Sequence, residues 1–387
     1  MRRSSLMVAV LLLALLAGSL SAAAQGSLAI VFDVGGRGDL SFNDMGALGG
    51  DRAQRELGVT VREVESATTA DFLPNLRALA RTRQYDLIAG IGFLLQDAMA
   101  QVAAEFPNQK FAIMDGLVEG LPNVMSVSFA DHEGSALMGA LAATTALELG
   151  ADTVGIVLGI EIPILLRFEI GYRAGVKWAV DRWNEMHGTN ESVRVLHVYT
   201  GAFDDPARGK TAAEAMLGQG AVVIYQVAGA TGLGVFEAVE EFARAQGKEV
   251  GPPFAIGVDS AQDYIAPGFI PVSMMKRIDT GVFTAISRAL DGTFEGGATL
   301  LTLAEGGVSA STLEDNIEMM NAAIEAGTLT EAERDELLAG IQRAREAVPA
   351  SAWEALYTLD HLIRTGEFVV PQALDAETAE FYRETLQ

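Results

Sequence analysis

The chain has 387 residues, with 27 Lys and Arg against 51 Asp and Glu, a formal net charge of -24, and no cysteine. A field of that sign repels phosphate backbones and anionic lipid, which argues against a nucleic-acid partner. Disulfides are excluded, and a chain of this length does without them because it buries ~75% of its unfolded surface.

At the N-terminus, Arg2 and Arg3 precede an apolar run from Leu6 to Leu16 and the small residues Ser21, Ala22, Ala23 and Ala24. This is the pattern of a secretory signal peptide cleaved before Gln25. The run is shorter than the ~20 residues of a membrane-spanning helix, so residues 1–24 are set apart from the fold. The missing cysteine also removes the acceptor for a diacylglycerol anchor. The expected form is periplasmic, secreted through a cleavable signal peptide and not lipid-anchored.

From Leu28 onward, short apolar runs alternate with longer helical stretches, the signature of a parallel sheet with crossover helices. Strands are predicted at 28–32, 59–64, 85–89, 110–114 and 124–127. The rhythm restarts at 153–158 and continues at 193–199, 221–226, 254–258 and 270–275. Ten strands exceed what one core usually holds, which predicts two α/β domains with a break near Ser128 to Asp131. Beyond Gly306 the composition turns helical over 314–326, 331–347 and 351–364. These segments read as helices packed on the outside of the second domain, without ligand chemistry.

Parallel sheets bind ligands at the carboxyl ends of their strands. The segments there are unusual in this chain. After the first strand come Asp33, three glycines, Asp39, Phe42, Asn43 and Asp44, a loop that lets backbone approach a ligand and ends where Asn43 or Asp44 can cap a helix. Asp115 stands at the carboxyl edge of the fourth strand, where a carboxylate accepts from ligand N–H or O–H groups. Phe203 follows Gly201 and Ala202 in a turn of the second half. Gly229, Gly232 and Gly234 open a helix in the order G-x-x-G-x-G, which is not the dinucleotide fingerprint and has no basic residue within it. Asp259 and Lys276 end two further strands and form a candidate charged pair for vicinal hydroxyls, Asp accepting and Lys donating. A turn residue, a cap or a hinge salt bridge explains any one of these alone; their recurrence after successive strands points to a site.

Together these residues resemble the basic membrane protein family of substrate-binding proteins, whose best-known members are purine nucleoside receptors of ABC transporters. The resemblance runs from about Ala29 to Val308. It is carried by D-x-G-G-x-x-D-x-S-F-N at Asp33 to Asn43, F-A-I-x-D at Phe111 to Asp115, and G-x-F-D-D-P-A-x-G-K at Gly201 to Lys210. Further on come A-G-x-T-G-L-G at Ala228 to Gly234, G-V-D-S-x-Q at Gly257 to Gln262, S-M-x-K-R-x-D at Ser273 to Asp279, and E-G-G-V at Glu305 to Val308.

The resemblance implies a type I periplasmic binding fold, two doubly wound parallel-sheet lobes joined by a three-strand hinge. Lobe 1 would comprise 25–128 and 277–302, and lobe 2 129–276 and 303–387 with the extra C-terminal helices. It implies a nucleoside ligand with its base between Phe42 and Phe203, base edges read by Asp33, Asn43 and Asp115, ribose hydroxyls by Asp259 and Lys276, and the Gly229 loop lining the cleft. The partners implied are that small molecule and an inner-membrane ABC permease, with a monomeric protein and no cofactor or metal. Three features depart from the family: the missing lipidation cysteine, an apolar Val34 where some relatives carry a polar contact, and a helical tail after Gly306 longer than usual. A sugar or quorum-signal carrier and a sensor subunit share the same scaffold. A nucleoside-processing enzyme is disfavoured because His132, His187, His197 and His361 lie apart, no G-x-S-x-G elbow is present, and no metal-ligand spacing is evident.

Overall fold

The computed structural model describes residues 26–325, 327 and 329–386; the expected signal peptide at 1–24 lies outside them. The chain forms two α/β lobes, each around a six-stranded sheet. Lobe 1 holds β1 (Ser27–Val31), β2 (Thr60–Val64), β3 (Leu87–Ile91), β4 (Phe111–Met114) and β5 (Val124–Phe129), with α1 (Phe42–Leu57), α2 (Phe72–Thr82) and α3 (Gln96–Glu105) between them. Lobe 2 holds α4 (Asp131–Glu148), β6 (Thr153–Leu158), α5 (Pro163–His187), β7 (Arg194–Tyr199), α6 (Pro206–Leu217), β8 (Val223–Val227), α7 (Thr231–Ala245), β9 (Phe254–Asp259) and β10 (Val272–Lys276).

The chain then returns to lobe 1 as α8 (Ile278–Asp291) and β11 (Gly297–Leu301), and crosses once more to β12 (Val308–Ala310). The sheet orders are β11-β5-β4-β3-β1-β2 and β12-β10-β9-β8-β6-β7. Every pairing is parallel except β10 with β12. The three crossings lie side by side: Ala130 N donates to Leu301 O, and Arg277 N to Gly307 O, both at 3.0 Å.

The central strands are runs such as Leu87 to Ile91 and Val223 to Val227, buried along their whole length, as parallel strands covered on both faces must be. Helix α4 is apolar on nearly all sides and is buried accordingly. It packs on α5 through glycines: a Cβ at Gly175 would lie 1.9 Å from Ala136 O, and one at Gly139 would lie 2.1 Å from Tyr172 O. The tail forms α9 (Leu313–Glu325), α10 (Glu331–Ala347), α11 (Ala350–Arg364) and α12 (Ala376–Thr385). Three elements lack a counterpart in the sequence reading: the edge strands β11 and β12, and helix α12.

Candidate functional site

The carboxyl edges of the two sheets face each other across a cleft of about 620 Å³ of space between protein atoms, its open mouth included. From lobe 1 the cleft is lined by Asp33, Phe42, Asn43 and Asp115, and from lobe 2 by Phe203, Gly229, Asp259 and Lys276. Eight residues spread over more than 240 positions thus meet in one place.

The first turn of α1 is capped by Asp39, not by the Asn43 or Asp44 expected, while the Asp44 carboxylate accepts from the loop N–H groups of Gly38 and Leu40 at 3.0 and 2.9 Å. The Asp39 carboxylate accepts from the N–H groups of Ser41, Asn43 and Asp44 at 2.9, 2.9 and 3.2 Å, satisfying the first turn of α1. Asn43 is largely engaged in the same loop. Its Oδ1 accepts from Asp33 N at 3.1 Å and its Nδ2 donates to Asp39 at 3.1 Å, leaving one amide N–H for a ligand. Asp33 Oδ1 accepts from Val34 N at 2.7 Å, and its other oxygen lies where a side chain at Gly92 would stand, 2.2 Å from a Cβ placed there. Glycine at 92, with φ +120°, is what leaves that carboxylate room.

Asp115 and Asp259 occupy equivalent positions, at the ends of β4 and β9 in the two sheet orders. Both have left-handed backbones, with φ +66° and +64°. Each non-glycine residue held there costs on the order of 1–3 kcal/mol, strain of a kind that clusters at ligand sites. Asp115 Oδ1 is buried without a hydrogen-bond donor from the protein.

Lys276 does not pair with Asp259 as expected. Its ammonium bonds Asp115 from lobe 1 and lies 2.8 Å from Asp131 Oδ1 at the start of α4. Asp259 instead accepts from the Ser41 hydroxyl across the cleft, at 3.0 Å. The Lys276 Nζ also sits 5.2–5.5 Å from the ring centroids of Phe42, Phe129 and Phe168, within reach of cation–π attraction. Burial works against its charge, but Asp115, Asp131 and Asp259 outweigh it and raise its proton affinity.

Burial pushes the Asp33 carboxyl up to about 7, helped by the neighbouring charges of Asp115 and Asp39. Burial likewise moves Asp259 up to about 7, against the pull of Lys276, and Asp39 up to about 6. Asp115 is raised by burial too, though Lys276 opposes it. Near neutrality Asp33 and Asp259 are therefore divided between the ionised form, which only accepts hydrogen bonds, and the protonated form, which also donates one.

Other lining residues escaped the sequence reading. Ile162, Ile164, Leu165 and Phe168, at the start of α5, form an apolar wall, and Phe93 adds a ring from lobe 1. Their spacing reads as an ordinary helix core stripe, so no local signal marks them. Around Phe203, Thr231 holds the main chain: its N–H donates to Phe203 O at 3.1 Å and its hydroxyl accepts from Asp205 N at 2.9 Å.

The lobes also touch directly beside the cleft. Leu40 O, in a residue with φ +51°, accepts from Ser260 Oγ at 2.6 Å and Gln262 Nε2 at 2.9 Å. Gln262 is oriented in turn by Gln226 Nε2 and Val258 N, which donate to its Oε1 at 2.6 and 2.8 Å.

Residues 27–328 match the Bmp family, described as ABC transporter substrate-binding proteins, PnrA-like. The chain belongs to that family. A Pyrococcus horikoshii relative, named a lipoprotein, is 40% identical over 344 residues, 88% of this chain and 83% of its own. The nucleoside-binding protein BmpA of an ABC transporter of Lactococcus lactis is 33% identical over 315 residues, 78% of this chain and 85% of its own. A solute-binding protein of an Aeropyrum pernix ABC transporter system superposes with a TM-score of 0.84 at 40% identity, covering 93% of this chain and 97% of its own.

This Bmp protein is therefore a substrate-binding protein that serves an ABC transporter, with a small molecule as cargo and a permease as partner, and its family is not one of enzymes. Its two-lobed α/β scaffold is the one expected. The expectation of a free, unanchored periplasmic form is overturned: relatives at 40% identity from three Pyrococcus species are all named lipoproteins. A missing cysteine removes one lipid acceptor and does not establish that a protein is unattached. Among the described residues no helix is long and apolar enough to cross a membrane; the apolar run at 6–16 lies outside them.

Proposed function

We propose that this Bmp protein captures a nucleoside, foremost a purine nucleoside, between its lobes and presents it to the permease at the membrane surface. The observation that carries the proposal is the pairing of rings and acceptors in one cleft. Phe42 and Phe203 come from opposite lobes and line the same cleft as buried carboxylates, one oxygen of which has no protein donor. A flat heterocycle gains ~1–3 kcal/mol per stacked ring, and its N–H groups can supply the donor that Asp115 Oδ1 lacks and a further one to Asp33 beside Val34 N. Asp259 is suited to ribose hydroxyls. Lys276, held by two carboxylates, serves chiefly to join the lobes and offers the ligand its remaining N–H. The name of the Lactococcus relative supports the same ligand class.

Binding a ligand that touches both lobes favours the closed form by its differential affinity for that form. The test is calorimetry on protein freed of ligand by unfolding and refolding, against purine and pyrimidine nucleosides, free bases and pentoses. Purine nucleosides are expected to bind most tightly and pentoses not at all. Pentose binding without nucleoside binding would remove the proposal.

A further inference from the structure

The family match ends at residue 328, so the tail helices α10 to α12 lie beyond it. One of them reaches back to the cleft wall. Glu169, in the second turn of α5, is fully buried, yet it stays ionised because four donors surround it. Arg383 of α12 grips both its oxygens, Nε to Oε1 at 2.9 Å and Nη2 to Oε2 at 2.7 Å. Arg173 Nε donates to Oε1 and the Tyr199 hydroxyl to Oε2, each at 2.9 Å. Burial alone would raise this carboxyl, but Arg383, Arg173 and His197 outweigh it and hold it down at about 2.

The apolar side of the same contact is a small separate core. Leu166 and Ile170 of α5 pack with Ala373 and Ala379, with Tyr382 and Leu386 partly buried against them. Successive residues of this one helical segment therefore have different neighbours. Leu165 and Phe168 line the cleft, while Leu166, Glu169 and Ile170 are held by the C-terminal segment. A helix turn clamped on its outer side by a two-point ion pair is fixed on its inner side as well, since backbone and rotamers move together.

We propose that Arg383, acting through Glu169, is a positioning residue for the cleft: the C-terminal helix sets where Leu165 and Phe168 stand against the ligand. The nature of the ligand rests on the nucleoside reading; the positioning of α5 does not.

The test uses the full chain with Arg383→Met and Arg383→Lys, because Glu169→Gln alters a fully buried group and risks misfolding. Hydrogen exchange of the ligand-free protein is read over residues 164–172, with helix α2 of lobe 1, residues 72–82, as an internal control. Inosine and guanosine affinities are measured in parallel, well below the melting temperature. Arg383→Met is expected to speed exchange in 164–172 at least fivefold, leave the control segment unchanged, and weaken binding about fivefold or more. Arg383→Lys, which keeps the charge without the fork, is expected to recover part of both.

A lowered melting temperature with exchange and affinity unchanged would overturn the proposal, leaving Arg383 a purely structural tie. Faster exchange with unchanged affinity would overturn it too, because the wall would then move without consequence. If the wild type binds no nucleoside, the functional reading fails and the exchange arm alone decides the positioning: local loosening supports it, no change overturns it.

Discussion

Replacing Phe203 with alanine separates a ligand-stacking ring from a core ring. The ring lies against Gly159 at the end of β6, where a Cβ would come within 2.2 Å of its Cε1. It is half-buried and borders the cleft. The main chain around it is held by Thr231 through bonds to residues 202, 203 and 205 that do not involve the ring. Truncation therefore leaves the loop in place. A buried phenylalanine costs ~3–5 kcal/mol on truncation to alanine; a half-buried ring on a tethered loop should cost about 1 kcal/mol or less. In a protein of this size that shifts Tm by only about 1–2 °C.

Loss of one stacked base contact, ~1–3 kcal/mol, weakens binding by about five- to 150-fold. Calorimetry with inosine and guanosine gives the affinity, and differential scanning fluorimetry of the ligand-free protein gives Tm. The reasoning fails if Tm drops by about 4 °C or more, the shift a fully buried ring would give in a chain of this length, while the affinity stays within twofold of wild type. That outcome would make Phe203 a core residue and remove the ring pair on which the nucleoside reading rests.

Protonation should report on the same site. Asp33 and Asp259, at about 7, are partly protonated in the free protein near neutrality, whereas a ligand donor bonds the ionised form. Binding then expels protons, and affinity rises about tenfold from pH 6 to pH 8 for one such group. Calorimetry in two buffers of different ionisation enthalpy measures the release, and a flat or falling affinity contradicts it. Lys276→Met leaves Asp115 buried without its cation, while Asp131 keeps Arg167 at 3.0 Å, and is expected to cost about 3–5 kcal/mol in denaturant unfolding; a loss below about 1 kcal/mol refutes that. Ser260→Ala removes one of the two bonds to Leu40 O that join the lobes without touching the cleft. At ~0.5–1.5 kcal/mol, ligand release in stopped-flow should quicken two- to tenfold with Tm nearly unchanged.

The inner strands were legible because a strand buried on both faces must be a short, mostly apolar run, and the eight strands inside the two sheets are buried almost throughout. The four edge strands differ: Thr60–Val64 and Arg194–Tyr199 are partly exposed but keep enough β-branched and apolar residues to be read, whereas Gly297–Leu301 is largely solvent-facing and Val308–Ala310 is three residues long, so neither of those carries a signal. The carboxyl-edge residues were legible through topology, since a parallel sheet aims every strand end at the same side. What was not legible is pairing. Nothing local distinguishes Asp131, read as part of a domain break, as the partner of Lys276 145 positions later. Nor does any pattern tell Asp39 from Asp44 as the cap of α1; both flank the same turn, and only its folded course directs three N–H groups to Asp39.

The placement of those pairs has its own logic. Lys276 is the last residue of β10 and Asp131 the first of α4, each at a crossing between lobes, and Asp115 ends the strand beside β5. Displacement in a hinge rotation grows with distance from the pivot, so this charged set moves little when the lobes part. It need not be broken and remade with each cargo, which would expose buried charges at several kcal/mol apiece. Leu40 follows β1, three strands from β5 and therefore roughly 14 Å further out at ~4.8 Å per strand. Its neutral bonds to Ser260 and Gln262, together with the neighbouring bond from the Ser41 hydroxyl to Asp259, are ones that opening must break, and water replaces them at small net cost. Strong interactions near the pivot and weak ones at the rim keep the scaffold stable while leaving the open and closed forms close in free energy. A ligand contributing only a few kcal/mol across the cleft is then enough to decide between them.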